Sequence, residues 1–410
     1  VVETPGAFTL ANGYLSARVE KKDGRVSSLR YGGVELMGPG GGYWSQVGRG
    51  IRQLGTIRSC AIRISPHANE GERAEVVCKF GYDGRAGSLP VNVEMRYALG
   101  RGERGLYAYT IWEHPRGYPA FSLGEARYAL KLTPEVFDFL TVDKDRRRLM
   151  PKGEDWDRGV QLNLKEARRL TSGPYSGQVE HKYGYSAILA DIPAYGWSSS
   201  RKGLGLWIIN PSQEYMSGGP TKVELTGHLD VNPGGRPTLL NMWLGSHYGG
   251  SSLAVGKDEA WSKVVGPFLI YCNTADNQDV LWRDALKKAA EEKELWPYSW
   301  VSDRAYPPVA ERATVSGQIV LHDEPGKNLR TGTVHVGLSA PDYSTPSRRS
   351  TAPVDWQREG KFYQFWGTAG SEGRFEIRNV RPGTYTLHAF ADGVLGEYHK
   401  ANVTVTAGQK

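Results

Sequence analysis

Cysteine is scarce in this chain, which carries three among 410 residues. That count excludes a small scaffold held together by many disulfides. Cys60 and Cys78 lie on either side of the turn-like stretch 66–73, so in a hairpin their side chains would face each other across two strands. Two alternatives stay open: a disulfide between these two cysteines with Cys272 free, or three reduced cysteines.

Long apolar runs are also missing. No stretch approaches the roughly 18 consecutive apolar residues that a membrane-spanning helix needs, so we expect no membrane partner. The chain begins VVETPGAFTL, with neither an initiator methionine nor a signal peptide. We interpret this start as that of a mature or trimmed form, and we expect a secreted, extracellular protein that acts as a monomer.

Several familiar motifs are absent. The sequence contains no P-loop, GxSxG, HExxH or CxxC, which are signatures of nucleotide, hydrolase, zinc and thiol chemistry. It has no helix-turn-helix, zinc-ligand or RNA-binding signature either, so nucleic acid is not expected as a partner. No calcium loop rich in Asp and Asn is evident. We therefore predict no catalytic metal and leave a structural calcium ion open.

Basic charge and aromatic side chains are what the chain does have. The net charge is +7, and there are 12 Trp and 22 Tyr residues. Cationic groups attract polyanions, and aromatic rings stack on the faces of sugars. The composition therefore favours an acidic polysaccharide as partner. The alternative is that a net charge of +7 over 410 residues simply reflects a soluble surface.

The pattern of short alternating segments separated by Gly, Asn and Asp predicts strands rather than βαβ units. One helix is predicted over 278–294, and Pro297 ends it. Its apolar face is formed by Trp282, Ala285, Leu286, Ala289 and Ala290, and its solvent face by Lys287, Lys288, Glu291, Glu292 and Lys293. We expect this helix to pack on the sandwich and to have no part in the chemistry.

A proline-containing linker at 301–312 separates this region from a second run of strand-like segments. About seven strands in roughly 100 residues are typical of an immunoglobulin-like or fibronectin-like sandwich. The chain is therefore predicted to be all-β. Residues 1–300 would form a large catalytic β-sandwich and residues 301–410 a fibronectin type III-like sandwich.

Basic residues form the candidate site. The segment GEARYALKL places Arg127 and Lys131 at even spacing, so a strand would put both on one face. In SGQVEHKYGYS, a strand would direct Lys182 to one face and Tyr183 to the other, and Tyr185 follows two residues later.

A histidine framed by glycines is the other candidate. The strand-like NMWL is followed by Gly245, then His247 and Tyr248, then Gly249 and Gly250. Small neighbours leave room for a ligand. We therefore expect these glycines to let a sugar chain approach His247 at the end of the strand.

These residue types match the β-elimination of a uronic acid. Arginine pairs with a carboxylate in two places, which favours the enolate that forms when the C5 hydrogen leaves. A lysine can take that hydrogen only as the neutral amine, which burial or cations such as Arg127 and Lys131 favour. A histidine can donate a proton to the departing O4 oxygen near neutral pH.

Each candidate also has an ordinary alternative. Lys182 would otherwise be a solvated surface lysine, and Arg127 would be an ion-pair partner of Glu125. The basic run DKDRRRLMP at 143–151 would grip a polyanion or, as most charge runs do, form a solvated face. A two-carboxylate glycosidase pair also stays open, although no carboxylate stands out.

Taken in order, the motifs resemble the rhamnogalacturonan lyases of polysaccharide lyase family 4. NGYLSARVEKKDGRVSSLRYGGVELMG resembles the opening strands of that family's catalytic sandwich, which is related to galactose-mutarotase-like folds (a supersandwich). The following motifs occur in the family's order: VDKDRRRLMP, VEHKYGYS, NPSQEYMSGGPTKVELTGH, SHYGG, VVGPFLIYCN and ELWPYSWV. FYQFWGTAGSEGRFEIRNVRPGTYTLHAFADGVLGEY is similar to its fibronectin-type domain. The resemblance extends from about Gly13 to the C-terminus.

This resemblance implies cleavage of the rhamnose–galacturonate linkage of pectin, in rhamnogalacturonan I, with an unsaturated galacturonate as product. It implies that Lys182 in HKYGYS is the base, that His247 in SHYGG is the acid, and that Arg127 in GEAR binds the carboxylate. The remaining substrate-binding residues that we expect are Lys131, Tyr183, Tyr185 and Tyr248. No cofactor is implied for catalysis.

The sequence departs from the family at several positions. Lys131 stands where fungal members have a second arginine, and Leu240 and Met242 stand where they have tyrosines. Tyr195 stands where plant members have a histidine, so we do not expect the acid there. A third β domain is missing, so the chain is either truncated or a two-domain form.

Two other functions remain as alternatives. An inactive pectin-binding protein would bind the polymer without forming double bonds, and a hydrolase or sugar epimerase on the same sandwich would leave saturated products. The joint presence of Lys182, His247 and Arg127 favours a lyase.

Overall fold

The computed structural model describes residues 1–51, 53–164, 166–230, 235–320, 332–346, 351–353, 355–370 and 372–409. The strands before the first α-helix are β1 (Val2–Glu3), β2 (Ala7–Ala11), β3 (Leu15–Glu20), β4 (Val26–Tyr31), β5 (Val34–Glu35), β6 (Met37–Gly48), β7 (Thr56–Ile64), β8 (Arg73–Gly81), β9 (Asn92–Gly100), β10 (Gly105–His114), β11 (Phe121–Leu132), β12 (Phe139–Thr141) and β13 (Arg147–Leu149).

After helix α1 (Gly153–Arg158) come β14 (Val160–Gln161), β15 (Ala167–Arg169), β16 (Val179–His181), β17 (Ser186–Ile188), β18 (Ala194–Ser198), β19 (Leu204–Ile209), β20 (Val223–Leu225), β21 (Gly227–Leu229), β22 (Pro237–Leu244), β23 (Leu253–Val255) and β24 (Trp261–Thr274). After helix α2 (Gln278–Leu295) come β25 (Ala313–Gln318), β26 (Val334–Ser339), β27 (Ser344–Pro346), β28 (Thr351–Pro353), β29 (Phe365–Thr368), β30 (Arg374–Val380), β31 (Gly383–Ala391) and β32 (Tyr398–Val405). The 3-10 helices are Pro66–Ala68, Lys182–Tyr185, Leu189–Asp191, Gly219–Thr221 and Val309–Glu311.

Two large antiparallel sheets enclose the main core. In the described residues one sheet has the order β1-β2-β3-β4-β6-β11-β22-β21, with β5 and β23 at its side, and the other has the order β13-β12-β18-β19-β24-β10-β9-β8-β7. The ring centroid of Phe268 in the second sheet lies 5.8 Å from that of Trp44 and 5.5 Å from that of Tyr128, both in the first sheet. The Trp44 and Tyr128 centroids are 5.0 Å apart. Edge-to-face pairs of this kind add about 0.5–1.5 kcal/mol to the free energy gained by burial. The predicted all-β sandwich is confirmed.

Helix α2 packs on the outside of the second sheet. Asn277 caps it by accepting a hydrogen bond from the Val280 N–H at 3.0 Å, which satisfies a backbone donor that the helix leaves free. Leu281, Ala285 and Ala289 are its buried apolar residues. The predicted extent of 278–294 is nearly correct. The predicted apolar face is wrong at Ala290, which is exposed.

The buried face of α2 includes a carboxylate that the sequence assigned to solvent. Glu292 is fully buried, accepts a hydrogen bond from Tyr107 at 3.0 Å and pairs with Lys288 at 2.8 Å. The prediction that Glu292 and Lys288 face solvent is therefore wrong. The reason is that a polar cluster beneath the helix satisfies the charge, and helical spacing alone does not reveal such a cluster.

Two of the three cysteines lie on neighbouring strands, as expected. Cys60 and Cys78 are directly opposite each other on β7 and β8. All three cysteines are free thiols, Cys78 and Cys272 buried and Cys60 half-buried. The cross-strand placement is confirmed, and of the two alternatives the structure has the reduced one.

The last hundred residues form a second sandwich. In the described part, β25 pairs with β30, and β29-β26-β31-β32 form a separate sheet. A separate core lies within this unit, including Val336, Leu338, Phe365, Ile377 and Val405. The division between residues 300 and 301 stays a prediction. No helix in the described residues is long and apolar enough to span a membrane.

The segment 301–312, predicted as a linker, is packed against both sandwiches. Val301 and Tyr306 are buried in the cluster beneath α2, and Asp303 pairs with Arg96 of β9 at 2.8 Å. The prolines therefore mark a segment without strands, but the segment is firmly attached to the large sandwich.

A buried ion triad joins the two units. Glu214 in the large sandwich accepts hydrogen bonds from Arg312 at 2.7 Å and from Arg381 at 2.6 Å, and all three side chains are almost completely buried. Burial by itself would raise the pKa of Glu214, but the charges of Arg381 and Arg312 outweigh it and lower the pKa. The carboxylate therefore stays ionised inside the protein.

Replacing Glu214 by alanine is expected to cost about 3–5 kcal/mol of unfolding free energy, because two buried guanidinium groups lose their counter-ion. Chemical denaturation of the two proteins measures this, with the exposed Glu372→Ala as control. Because the native pKa of Glu214 is lowered, its contribution is present at neutral pH and is lost as the pH falls below about 4.3. An equal loss of stability in both variants would contradict the role of the triad.

Candidate functional site

Strand β11 forms the floor of the candidate site. Arg127 lies opposite Ser45 of β6 and Met242 of β22, and Lys131 lies opposite Thr238 of β22. The prediction that Arg127 and Lys131 share a strand face is therefore confirmed. They stand on the face of the sheet that points away from the main core, as alternation along a strand requires when Tyr128 and Leu130 point into it.

An apolar patch lies between these two cations. Ala129, Leu225, Leu240 and Met242 form a small buried cluster, and the partly buried rings of Tyr43 and Tyr183 pack against it. Leu240 and Met242 pack under Tyr183 and Tyr43, so this face has aromatic rings above an apolar base.

Lys182 lies at the edge of the patch, in a backbone conformation that the sequence did not predict. It begins the 3-10 helix Lys182–Tyr185, which His181 caps by accepting a hydrogen bond from the Gly184 N–H at 3.1 Å. The predicted strand is therefore wrong, because the capping imidazole and Gly184 close a tight turn. The Lys182 amine pairs with Glu166 at 3.2 Å and lies 5.1 Å from the centroid of the Tyr183 ring.

The two nearby tyrosines have different surroundings. Tyr183 packs on the apolar patch, and burial together with the Glu166 charge raises its pKa. Tyr185 is buried in the main core, where burial and the neighbouring Glu180 raise its pKa. The assignment of Tyr185 to substrate binding is not supported by this position, because one turn of the 3-10 helix directs its ring inward.

His247 follows β22 and is held by a buried carboxylate. Glu224 of β20, which is fully buried, accepts from the His247 backbone N–H at 3.1 Å and lies 3.1 Å from the ring Nδ1. With Nδ1–H donated to Glu224, Nε2 is the ring nitrogen that can carry a proton to a ligand. The side chain is 18% exposed, so it is accessible at the edge of the patch.

The glycine before His247 has a different role from the one predicted. A Cβ on Gly245 would lie 1.9 Å from Glu224 Oε1. Gly245 is therefore needed to admit the carboxylate that holds His247, and it does not open a path for the sugar. Gly249 and Gly250 do adopt positive φ angles of 97° and 75°, and a Cβ on Gly249 would meet nothing within 4 Å.

A buried lysine closes the loop that carries His247. The Lys222 amine donates to the carbonyl oxygens of His247 and Gly250, both at 2.9 Å, and lies 3.5 Å from Glu224. Burial lowers the pKa of Lys222, and Glu224 opposes this. Lys222 and Glu224 together fix both ends of the loop 247–250 and the imidazole within it.

Tyr248 extends from the same loop into solvent. Its ring is 46% exposed, and its hydroxyl lies 2.6 Å from Ser186 Oγ. The backbone φ angle of 50° is unusual for a non-glycine residue. The hydroxyl contact fixes the ring beside Tyr183, whose carbonyl oxygen it also reaches at 3.4 Å.

The structure brings the predicted base and acid to the same ring. The Tyr183 and His247 rings are 6.2 Å apart, nearly perpendicular, and the Lys182 amine lies over Tyr183. Lys182 and His247 are therefore on the same side of the sandwich, separated by one tyrosine. Residues distant in the sequence converge on one patch.

Each predicted cation has a carboxylate partner within the chain. Arg127 pairs with Glu125 at 2.9 Å, which is the ordinary alternative stated for it, and Glu125 also accepts from Ser246 beside His247. Lys131 pairs with Asp230. An anionic ligand would therefore share or exchange these partners rather than meet bare cations.

A further histidine lies among these charges. His228 on β21 is 8% exposed, and its Nδ1 has no hydrogen-bond partner. Burial lowers its pKa to about 3; the charges of Lys131, Lys182 and Arg127 act in the same direction, and Asp230 opposes them. The imidazole is therefore neutral at ordinary pH.

Beyond Lys131, the same face continues into a cavity of about 420 Å³. It is lined by Asp23, Arg25, Pro39, Gly40, Tyr43, Trp44, Lys131, Asp230 and Arg236. The face therefore extends from the His247 loop at one end to a charged cavity at the other, which suits an extended chain of sugars. In the described residues, no cluster of His, Cys, Asp and Glu is suited to hold a metal ion.

The basic run 143–151 lies largely at the surface, where residues 144–146 and 149 are exposed. Arg146 pairs with Asp143 at 2.5 Å, Arg147 pairs with Asp279 at 2.5 Å, and Arg148 lies 4.3 Å from the Tyr175 ring. The run therefore forms a mostly solvated face whose three guanidinium groups are engaged by the chain itself, and a grip on polyanion stays a prediction.

Sequence reasoning missed the carboxylates that organise the site. Glu166, Glu224 and Asp230 pair with Lys182, His247 and Lys131, respectively. The partners are far apart in the sequence, and the separation differs from pair to pair, so no local motif predicts them. The one usable signal was Gly245, since a glycine at the end of a buried strand indicates a close approach by another group.

Two models of known protein families match parts of this chain. A family model described as the rhamnogalacturonate lyase family matches residues 4–179, and one described as polysaccharide lyase family 4, domain II, matches residues 330–410. The second match agrees with the fibronectin-like sandwich seen there.

Curated relatives cover nearly the whole chain. The chain is 29% identical to a rhamnogalacturonate lyase of Dickeya dadantii over 401 residues, which are 94% of this chain and 60% of that protein. It is 24% identical to a probable rhamnogalacturonate lyase B of Aspergillus flavus over 444 residues, covering 100% of this chain and 62% of that protein. The chain thus spans about three fifths of the length of these relatives.

Among solved structures, a galactose mutarotase-like protein from Lactobacillus casei matches with a TM-score of 0.37 and 11% identity, covering 65% of this chain and 100% of that chain. This likeness is too remote to bear on the site.

Proposed function

We propose that the chain, which matches the rhamnogalacturonate lyase family over residues 4–179 and polysaccharide lyase family 4, domain II, over residues 330–410, is a member of this family and cleaves the rhamnose–galacturonate linkage of rhamnogalacturonan I by β-elimination. The products would be a fragment that begins with an unsaturated galacturonate and a fragment that ends with rhamnose. Since this polymer lies in the plant cell wall, we propose that the protein acts outside the cell.

One observation carries this proposal: an amine and an imidazole lie beside the same tyrosine. The Lys182 amine is 5.1 Å and the His247 ring centroid is 6.2 Å from the centroid of the Tyr183 ring. Arg127 is linked to the same loop through Glu125, which pairs with Arg127 and accepts a hydrogen bond from Ser246. A β-elimination needs a base, an acid and a carboxylate ligand around a single sugar ring. This patch supplies one of each.

The first step removes the C5 proton of galacturonate. Arg127 would bind the substrate carboxylate and stabilise the negative charge that moves onto it as the C5–H bond breaks. Lys182, as the neutral amine, would accept the proton. In the free protein the amine pairs with Glu166 at 3.2 Å, so this pairing has to give way when substrate binds.

The second step releases the O4 oxygen. The electron pair from C5 forms the C4–C5 double bond as the C4–O4 bond breaks, and O4 takes a proton from His247 Nε2. Glu224 holds Nδ1 at 3.1 Å, which orients the ring and leaves Nε2 to give that proton. The patch beneath Tyr183 keeps water from part of the sugar ring.

Lys131 and Tyr248 are proposed as further substrate contacts. Lys131 stands near the cavity end of the patch, and Tyr248 stands at the His247 end with an exposed ring. We propose that Arg127 performs the neutralisation for which other lyases would use a metal ion, so no cofactor is needed for catalysis.

The test is digestion of rhamnogalacturonan followed by ultraviolet absorbance and product mass, with and without a metal chelator. Growing absorbance, with product masses that lack one added water per cleavage, supports the lyase in either condition. Saturated products would indicate a hydrolase, and polymer binding without cleavage would indicate an inactive binding protein. Loss of activity in chelator, restored by calcium, would contradict the metal-free mechanism.

A further inference from the structure

The second sandwich touches the loop that carries His247. The Ser252 N–H donates to the Arg358 carbonyl at 2.7 Å, and the Gly360 N–H donates to the Ser252 carbonyl at 2.9 Å. These bonds form a short parallel bridge between Ser252 and Glu359. The segment 358–360 is thereby fixed against the end of the loop 247–250.

The side chain of Arg358 lies over this loop. Its Nη2 is 3.7 Å from the position that a Cβ on Gly250 would take. Its positive charge also helps to lower the pKa of Lys222, which binds the Gly250 carbonyl. The guanidinium is therefore close to the loop while the residue as a whole is exposed.

Arg358 differs from the other cations of the site. Arg127, Lys131 and Lys182 each pair with a carboxylate of the chain. Within the described residues, the Arg358 guanidinium has no ion-pair or hydrogen-bond partner. It is an available cation at the mouth of the site.

Open space and an exposed ring lie beside it. A Cβ on Gly249 would meet nothing within 4 Å, and Tyr248 on the other side of the glycines is 46% exposed. The surface from Tyr248 across Gly249 and Gly250 to Arg358 thus offers an aromatic face, then a gap, then a free cation. A polysaccharide that alternates a deoxy sugar with a uronic acid presents an apolar face and then a carboxylate in the same order.

We propose that this surface is a subsite formed by both sandwiches, in which Tyr248 packs on the rhamnose next to the cleaved bond and Arg358 binds the carboxylate of the following galacturonate. The subsite lies on the side of the departing oxygen, because Tyr248 is in the same loop as His247, which would give that oxygen its proton. This inference rests on the proposed function, since it places a second uronate of the same polymer.

The test compares Arg358→Gln and Arg358→Lys with the native protein on rhamnogalacturonan oligosaccharides of increasing length. The backbone bridge at Ser252 does not use the side chain, so folding should be unaffected. The matched control is Arg374→Gln, an exposed arginine of the same sandwich that pairs with Glu372. Both variants and the control are measured for KM and kcat at low and raised salt.

On substrates long enough to place a second galacturonate beyond the cleaved bond, Arg358→Gln should raise KM by roughly three- to tenfold, the range for one ordinary hydrogen bond, because solvent screens this exposed charge. kcat should change little, the dependence on salt should weaken, and Arg358→Lys should recover part of the loss. On shorter substrates the variant should match the native protein. Equal KM values at all lengths, or the same loss on the shortest substrate, would overturn the subsite.

Binding separates this inference from the proposed function. If the native protein cleaves no rhamnogalacturonan, the lyase proposal fails, and calorimetric binding of the same oligosaccharides decides the Arg358 proposal. Weaker binding of long oligosaccharides in Arg358→Gln alone would support the subsite. Equal binding in Arg358→Gln and Arg374→Gln would reject it.

Discussion

Replacing Lys182 by arginine is expected to lower kcat for rhamnogalacturonan cleavage by about a hundredfold to ten-thousandfold, the range that a general base contributes. Arginine keeps the positive charge and the ion pair with Glu166, but it does not lose its proton in proteins. The side chain is 11% exposed and anchored over Tyr183, so the substitution removes the proton acceptor while most of the surroundings stay in place.

Initial rates of absorbance increase measure this effect, with KM determined alongside. Lys144→Arg is the matched control, because Lys144 is 80% exposed and pairs with its neighbour Asp145. A loss in kcat with a nearly unchanged KM supports a base. Activity in Lys182→Arg close to that of the control would remove Lys182 from this role.

Replacing His247 by alanine is expected to cause a loss of similar size, about a hundredfold or more in kcat. The imidazole is the only side-chain group of the loop 247–250 held by Glu224 among the described residues, and the O4 oxygen needs a proton as it leaves. The Glu224 carboxylate keeps its bond to the residue 247 N–H, so the loop should remain in place.

His67→Ala serves as the control, since His67 lies exposed in the turn Pro66–Ala68. The free energy of unfolding should be close to native in both variants, so that a kinetic loss reflects chemistry. Undiminished activity in His247→Ala would show that water or another group protonates the oxygen. In that case Tyr183, whose ring lies between the two candidates, would be the next acid to examine.

The sequence predicts the fold well where periodicity carries the information. The alternation in GEARYALKL places Arg127 and Lys131 on one face because a strand repeats every two residues, and the structure has them there. The end of β22 before Gly245 is likewise visible in the run NMWL. Local pattern is sufficient for these features.

Periodicity fails where a side chain decides the backbone. The segment around Lys182 reads as a strand, but the His181 imidazole accepts a backbone hydrogen bond and turns it into a 3-10 helix. Tyr185 consequently points into the core. A single capping bond of this kind leaves no trace in an alternation pattern.

The pairing of charges is also beyond the reach of sequence. Glu224 and His247 are 23 positions apart, and Lys131 and Asp230 are 99 apart. The order of the sheet, in which β11, β22 and β21 are neighbours, brings Lys131 to Asp230, whereas Glu224 reaches His247 from β20, which pairs with β17 in a separate sheet. The resemblance to a family indicated the base, the acid and the arginine, but it did not indicate their counter-ions.

The triad of Glu214, Arg312 and Arg381 also bears on how such a protein can be inherited or recombined. Because the shared carboxylate comes from one sandwich and both guanidinium groups from beyond residue 311, a gene fusion that exchanged the C-terminal sandwich would have to carry a matching pair of arginines. The large sandwich is thus tied to its companion by buried charge, and the two would be expected to diverge in step rather than to circulate as interchangeable modules.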